Sequence, residues 1–377
     1  MPLSQKRVLL AAGGTAGHIN PALSLAGLLR RLHPDCAIRF VGTAEHMEAK
    51  LIPAAGFEFC TMDISGFQRH FSLESVRRNL QTVRRLLGAN RQAEAILKDF
   101  QPDVVVGFGG YVSGPILRAA AKKSIPTAIH EQNAYPGVTN KALAGRVDAV
   151  MLTTPAAATR LECKNEPVVT GLPIRSELLK ADRASSRREL GLDERPLVLS
   201  MGGSLGARAV NEAVVGVIAA LWKDKSCHFH HAYGQYGRWV PELLREKGVH
   251  LEAPELTLRE YIDDMPRCMA AADVVISRAG ASALSELQAL GKPSILIPSP
   301  NVAENHQYHN AKALAEQGAA IVMEEKELTA AKLTAAVLNL LNDPVKRAAM
   351  GEAARAMAVT DATERIYAVI AKLMNAK

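Results

Sequence analysis

Residues 7–26 read RVLLAAGGTAGHINPALSLA: an apolar run from Val8 to Ala12, then Gly13-Gly14-Thr15-Ala16-Gly17-His18, then apolar residues at helical spacing through Ile19, Leu23 and Ala26. Strand, glycine turn and helix N-terminus is how α/β proteins hold phosphate, because the first-turn N–H groups lack intrahelical partners and point at the ligand. The turn is not a dinucleotide fingerprint. Its third position is Thr15, and the second apolar run ends RFVGTAEH with no acid at its tip to hold a ribose. No GxxxxGK(S/T) loop occurs either. A glycine turn also serves tight strand-to-helix packing, so the phosphate reading rests on repetition.

The unit recurs. LVLSMGGSLGARAVNEAVVGVIAAL (197–221) again runs strand, Gly202-Gly203-Ser204, Gly206 and helix. Its helix N-terminus suits a diphosphate, and Ser204 adds either a hydroxyl donor or an N-cap. A third glycine loop, GFGGYVSGP (107–115), follows another apolar run. Apolar runs alternate with amphipathic stretches throughout, the pattern of parallel sheets with crossover helices. Strands are expected at 7–12, 37–42, 103–107, 126–130 and 148–152, then near 196–201, 227–232, 249–252, 273–276, 294–297 and 320–323. A helix from Ser282 to Leu290 should stop at Gly291, with Pro293 beyond. Residues 344–377 read as one or two terminal helices, and VVTGLPIRSEL (168–178) as the linker. The fold class is therefore α/β, with two Rossmann-like doubly wound parallel-sheet domains facing a cleft.

The chain's 377 residues suffice for two such cores. The opening apolar stretch is too short for a secretory signal, and no run reaches the roughly 18 apolar residues of a spanning helix. Five scattered cysteines without a CxxC pair point to reduced thiols. The net charge of +7 lies entirely in the first half: residues 1–170 hold 20 Lys+Arg against 13 Asp+Glu, and the remainder 25 against 25. That excess suits nucleic acid, a membrane surface or an anionic substrate.

Polar residues cluster where strands end. His130, Glu131, Gln132 and Asn133 directly follow an apolar run, either at a ligand site or in a capped turn. Ser282 and Glu286 share one helix face, where Glu286 either steadies the helix dipole or accepts two vicinal ribose hydroxyls. Asn305, His306, Gln307 and Asn310 follow the next strand; such amides both donate to and accept from sugar hydroxyls.

Six motifs in order, GGTAGH, FGGYVSGP, HEQN with TNK, GGSLGAR, GASALSE and HQYHNA, together resemble the MurG family of UDP-N-acetylglucosamine:undecaprenyl-pyrophosphoryl-N-acetylmuramyl-pentapeptide N-acetylglucosamine transferases. The resemblance implies a GT-B fold, with residues 1–170 as an acceptor- and membrane-associating domain and 171–349 as a donor domain. It further implies that a terminal helix at about 350–377 packs back onto the first. The implied activity is inverting transfer of N-acetylglucosamine from UDP-N-acetylglucosamine to the C4 hydroxyl of a polyprenyl-pyrophosphoryl muramyl-pentapeptide. Carried over by position, donor contacts fall on Thr15, Ala16, Gly17, Asn133, Arg175, Ser204, Ile262, Ala281, Ser282, Ala283, Leu284, Ser285, Glu286 and Gln307. Glu286 would meet the ribose, Ile262 the uracil, Ser204 the diphosphate and Gln307 the sugar. His18 is then the candidate general base, with Glu131 the alternative. Ala16 and His306 stand where many members carry glycine and glutamine. No cofactor and no protein-bound metal is expected, since helix amides can carry the diphosphate.

Residues 65–91 hold Arg69, Arg77, Arg78, Arg84, Arg85 and Arg91 against Glu74, interleaved with Phe67, Phe71 and a helical stripe of Leu and Val. Arginines flanking aromatics suit an anionic bilayer; the alternative is a core-facing helix with a solvated face. The membrane reading takes Phe67, Phe71, Arg77, Arg78, Arg84 and Arg85 as the patch. It places the protein peripherally on the cytoplasmic face of the bacterial inner membrane, beside other cell-wall synthesis proteins. Other readings compete, the first being another GT-B member such as a diacylglycerol glycosyltransferase or an epimerase. A UDP-N-acetylglucosamine 2-epimerase would need no second substrate. A nucleic-acid binder is opposed by 5% aromatic content and no recognition motif.

Overall fold

The computed structural model describes residues 5–64 and 88–375, which form two compact units: Met1–Pro173 with Asp361–Lys377, and Ile174–Thr360. The first contains β1 (Arg7–Ala11), β2 (Ala37–Gly42), β3 (Glu58–Thr61), β4 (Val104–Gly107), β5 (Thr127–Glu131), β6 (Ala149–Leu152) and β7 (Val168–Val169). They pair in parallel in the order β3-β2-β1-β4-β5-β6-β7. The second unit holds β8 (Leu197–Met201), β9 (His228–Ala232), β10 (Leu256–Arg259), β11 (Val274–Ser277), β12 (Ser294–Leu296) and β13 (Ile321–Val322). Its order is β10-β9-β8-β11-β12-β13, again all parallel.

Helices on both faces explain why the central strands read as unbroken apolar runs. Val8, Leu9 and Leu10, and Val104 to Val106, are wholly buried, as strands covered on both sides must be. In each sheet the order reverses beside the first strand of the unit. Ala11 lies in register with Gly107 in one, and Met201 with Ser277 in the other. Open α/β sheets bind ligands at such switch points, outside the carboxyl ends of the strands.

The last helix, Ala362–Asn375, belongs to the first unit, where Ile366, Ile370 and Met374 pack among Leu25, Ala26 and Leu29 of the helix Ala16–Leu32. Tyr367 Oη and His33 Nε2 lie 2.7 Å apart across the same seam.

Three departures from the expected strands have local causes. Residues 249–252 form no strand: Gly248 adopts φ +78°, and Val249 N–H bonds back to Leu244 O at 3.0 Å, closing off the helix Val240–Glu246. The chain reaches the sheet edge only at Leu256. The short strands β3 and β7 were not expected. One is a four-residue edge strand with little burial, and the other is two residues within the expected linker. The helix Ala281–Leu290 ends as expected, at Gly291 in the left-handed region.

Candidate active site

In the first unit the turn after β1 carries Thr15, exposed and extended at the N-cap, then Ala16, Gly17 and His18 in the opening turn of the helix. His18 Nδ1 lies 2.8 Å from Gly13 O and 3.4 Å from Thr15 Oγ1. A carbonyl oxygen only accepts, so the shorter contact requires a proton on Nδ1; in the neutral ring Nε2 then keeps its lone pair. The loop after β4 forms the wall beside the ring. Gly109 has φ +109°, and a Cβ there would sit 2.7 Å from His18 Cδ2. A Cβ on Gly110, at φ +84°, would likewise meet Gly13 O at 2.6 Å. Gly109 and Gly110 thus make room for the first turn, while Gly107 packs on Leu117 and Ser113.

The polar run after β5 also turns inward. His130 is wholly buried, its Nε2–H donating to Gly171 O at 2.8 Å and its Nδ1 facing Gln132 Nε2 at 3.1 Å. Burial holds its pKa down at about 4, so the ring stays neutral. Gln132 also donates to Phe108 O at 2.8 Å, bracing the β4 loop. Glu131, 2% exposed, accepts from Asn133 N and Nδ2, Gly137 N and Asn140 Nδ2 at 2.8–3.3 Å. Both carboxylate oxygens are therefore spent on the 131–140 turn. Asn133 is half-buried on its rim.

Sequence reasoning missed Glu48, which lies beyond β2 in the helix Glu48–Ala54 and is fully buried beneath the first glycine turn. It accepts from Gly14 N at 3.0 Å, Thr43 N at 3.1 Å and Thr43 Oγ1 at 2.7 Å. Burial pushes its pKa up, but the Thr43 hydroxyl and the backbone N–H donors outweigh that and hold it below the usual carboxylate value. The acid absent from the tip of β2 in the sequence thus returns six residues after Gly42, directed at the peptide backbone.

In the second unit, Ser204 is exposed in the turn after β8, whose shape comes from its neighbour: Gln235 N and Tyr236 N donate to Ser204 O and Leu205 O at 3.1 and 2.9 Å. The helix Ala281–Leu290 starts at Gly280 with no side-chain cap. Ala281, Ser282 and Ala283 lie half-buried in its first turn, while Leu284 and Ser285 face the core. Arg175 Nε–H donates to Glu286 Oε1 at 2.8 Å. Burial raises the Glu286 pKa, and Arg175 opposes the rise. Gln307 Oε1 accepts from Ala279 N and Ser299 N at 3.2 and 2.9 Å, so the amide acts outward only as a donor. Ile262 is 6% exposed and packs in the core with Leu197 and Met269.

Among the described residues there is no group of three or more His, Cys, Asp or Glu arranged to hold a metal, and no helix long and apolar enough to cross a membrane. The expected patch at Phe67, Phe71, Arg77, Arg78, Arg84 and Arg85 lies outside the described residues.

Comparison with known proteins agrees with this architecture. Residues 8–152 match the glycosyltransferase family 28 N-terminal domain and residues 197–366 its C-terminal domain. A protein of Acetivibrio thermocellus named UDP-N-acetylglucosamine--N-acetylmuramyl-(pentapeptide) pyrophosphoryl-undecaprenol N-acetylglucosamine transferase is 42% identical over 372 residues, covering 98% of this chain and 99% of its own. One of the same name from Desulforamulus reducens is 40% identical over 98% and 99%. A crystal structure of MurG from Acinetobacter baumannii superposes with a TM-score of 0.78 at 30% identity, covering 97% of this chain and 99% of that one.

Proposed function

Since the chain belongs to glycosyltransferase family 28 and, within it, to the MurG family with its GT-B fold, we infer that it transfers N-acetylglucosamine from UDP-N-acetylglucosamine to the C4 hydroxyl of undecaprenyl-pyrophosphoryl-N-acetylmuramyl-pentapeptide in peptidoglycan synthesis. The observation that carries the chemistry is His18, tied at Nδ1 to Gly13 O with Nε2 open. As the acceptor O4 attacks the anomeric carbon, its proton passes to Nε2. The bond from that carbon to the diphosphate oxygen breaks, and UDP leaves with the electron pair on the face opposite attack, inverting the centre. Glu131 is the weaker candidate base, because its oxygens are engaged within the protein.

In the second unit, Glu286 would accept the ribose hydroxyls through Oε2, with Arg175 holding Oε1. The open N-terminus of the helix Arg208–Leu221 and the Ser204 hydroxyl would take the diphosphate. Gln307 would donate to the sugar. Radiolabelled UDP-N-acetylglucosamine with a short-chain acceptor analogue should yield labelled disaccharide lipid. Formation of UDP-N-acetylmannosamine from the donor alone, without transfer, would instead make the protein an epimerase.

The acceptor's polyprenyl anchor also motivates a membrane role for residues 65–91, where each basic residue near an anionic surface contributes about 1 kcal/mol. The segment would bring the protein to the cytoplasmic face of the inner membrane. In vesicle flotation, Phe67→Ser with Phe71→Ser, and Arg84→Glu with Arg85→Glu, should each release the protein with donor binding intact. Equal flotation on neutral and anionic vesicles would oppose this role.

A further inference from the structure

The buried carboxylate of Glu48 and the imidazole of His18 grip opposite ends of one peptide unit. Glu48 Oε2 accepts from the Gly14 N–H at 3.0 Å, and the carbonyl of that same trans peptide, Gly13 O, faces His18 Nδ1 at 2.8 Å. A trans peptide directs its N–H and C=O to opposite sides, so the amide is a bridge between the two side chains. Hydrogen bonds in series polarise one another, the more so away from water. An anion on the N–H side makes Gly13 O a stronger acceptor, which favours the proton on Nδ1 and raises the basicity of Nε2, as a buried carboxylate does when bonded directly to a catalytic histidine.

We propose that Glu48 is a positioning residue for transfer: through the Gly13–Gly14 peptide it holds His18 as the Nδ1–H tautomer and leaves Nε2 to take the acceptor's proton. This rests on the reading of His18 as base. The rest of the setting is consistent with it. Glu48 is fully buried, and a Cβ on Gly13 would meet Glu48 Oε1 at 2.6 Å, so the carboxylate lies directly under the bridging peptide. Thr43 supplies two further donors that fix the carboxylate's orientation. His130 also lies close enough to His18 to interact with it; its ring nitrogens are engaged by Gly171 and Gln132, and it stays neutral. Gly109 packs on the ring face and contributes no charge.

The test uses the intact protein with ¹⁵N-labelled histidine. In the wild type, His18 should appear as the Nδ1–H tautomer in its neutral form. Glu48→Gln keeps the side chain's size but cannot accept from Gly14 N and both Thr43 donors at once. It should shift His18 toward the Nε2–H tautomer, move the acid limb of the kcat/KM profile to lower pH and reduce kcat about tenfold, a part of the roughly 10²–10⁴ a general base supplies. In a His18→Ala background the same change should cost no further kcat, because Glu48 acts through His18. A wild-type Nε2–H tautomer overturns the proposal even if Glu48→Gln does not fold. An unmoved tautomer and acid limb in a folded Glu48→Gln protein, or a full additional loss in the His18→Ala background, would also overturn it. Absence of transfer by the wild type would sink the functional reading instead, while the tautomer is read without turnover.

Discussion

Three helices at the carboxyl ends of central strands begin differently from three that start away from them. Ala16–Leu32 after β1, Arg208–Leu221 after β8 and Ala281–Leu290 after β11 start at Thr15, Ala207 and Gly280 with no side-chain cap and no acid in the first turn. By contrast, Asp182 caps Arg183–Glu189 through Ser185 N at 2.8 Å. Thr329 caps Ala330–Asn342 through Lys332 N at 3.2 Å, and Asp343 caps Pro344–Ala356 through Lys346 N at 2.8 Å. A cap contributes about 1 kcal/mol. The sheet-end helices forgo it at the places where a ligand's anion would otherwise compete with a carboxylate for the same N–H groups. Under the proposed function, the contrast would separate these three capped starts, which serve stability, from three starts left open to the donor.

The largest expected effect is at the first open start. His18→Ala should lower kcat by about 10²–10⁴ while calorimetry finds UDP-N-acetylglucosamine binding nearly unchanged; a loss under tenfold would move the base elsewhere. Next, Glu286→Ala at the third open start should weaken the sugar nucleotide about 10- to 100-fold, from loss of a charge-assisted acceptor of about 1.5–3 kcal/mol. Calorimetry showing unchanged affinity would remove Glu286 from the site. Gly109→Ala forces a Cβ onto the His18 ring at a φ of +109°. Steady-state kinetics should show kcat down about tenfold through misplacement of the base, with donor affinity retained. The smallest effects test the cap contrast itself. Ala207→Asp should raise the melting temperature by supplying a cap of about 1 kcal/mol yet raise KM for the donor, whereas Asp343→Ala should lower the melting temperature by a similar amount and leave KM alone. Equal KM responses in these two variants would erase the distinction.

Much of this was legible in the chain. The parallel-sheet class followed from alternating apolar runs, and the stop of Ala281–Leu290 from Gly291, because burial periodicity and turn chemistry act over a few residues. Short edge strands escaped notice because β3 and β7 bury little and carry no apolar run. The strand expected at 249–252 failed because Val249 is committed to a helix-end hydrogen bond, which apolar spacing does not reveal.

By itself the sequence determined the α/β architecture, the glycine turns at strand ends, and the histidine, carboxylates and amides that follow them. Only the tertiary structure decided what each of those groups has left to offer. It turned Glu131 inward onto four donors, gave the oxygen of Gln307 to Ala279 and Ser299, and set the carboxylate of Glu48 under a peptide 34 residues earlier in the chain. The physical reason is range. Turn and helix preferences are local, whereas the spending of a lone pair or an N–H depends on partners that approach only when the sheet has folded.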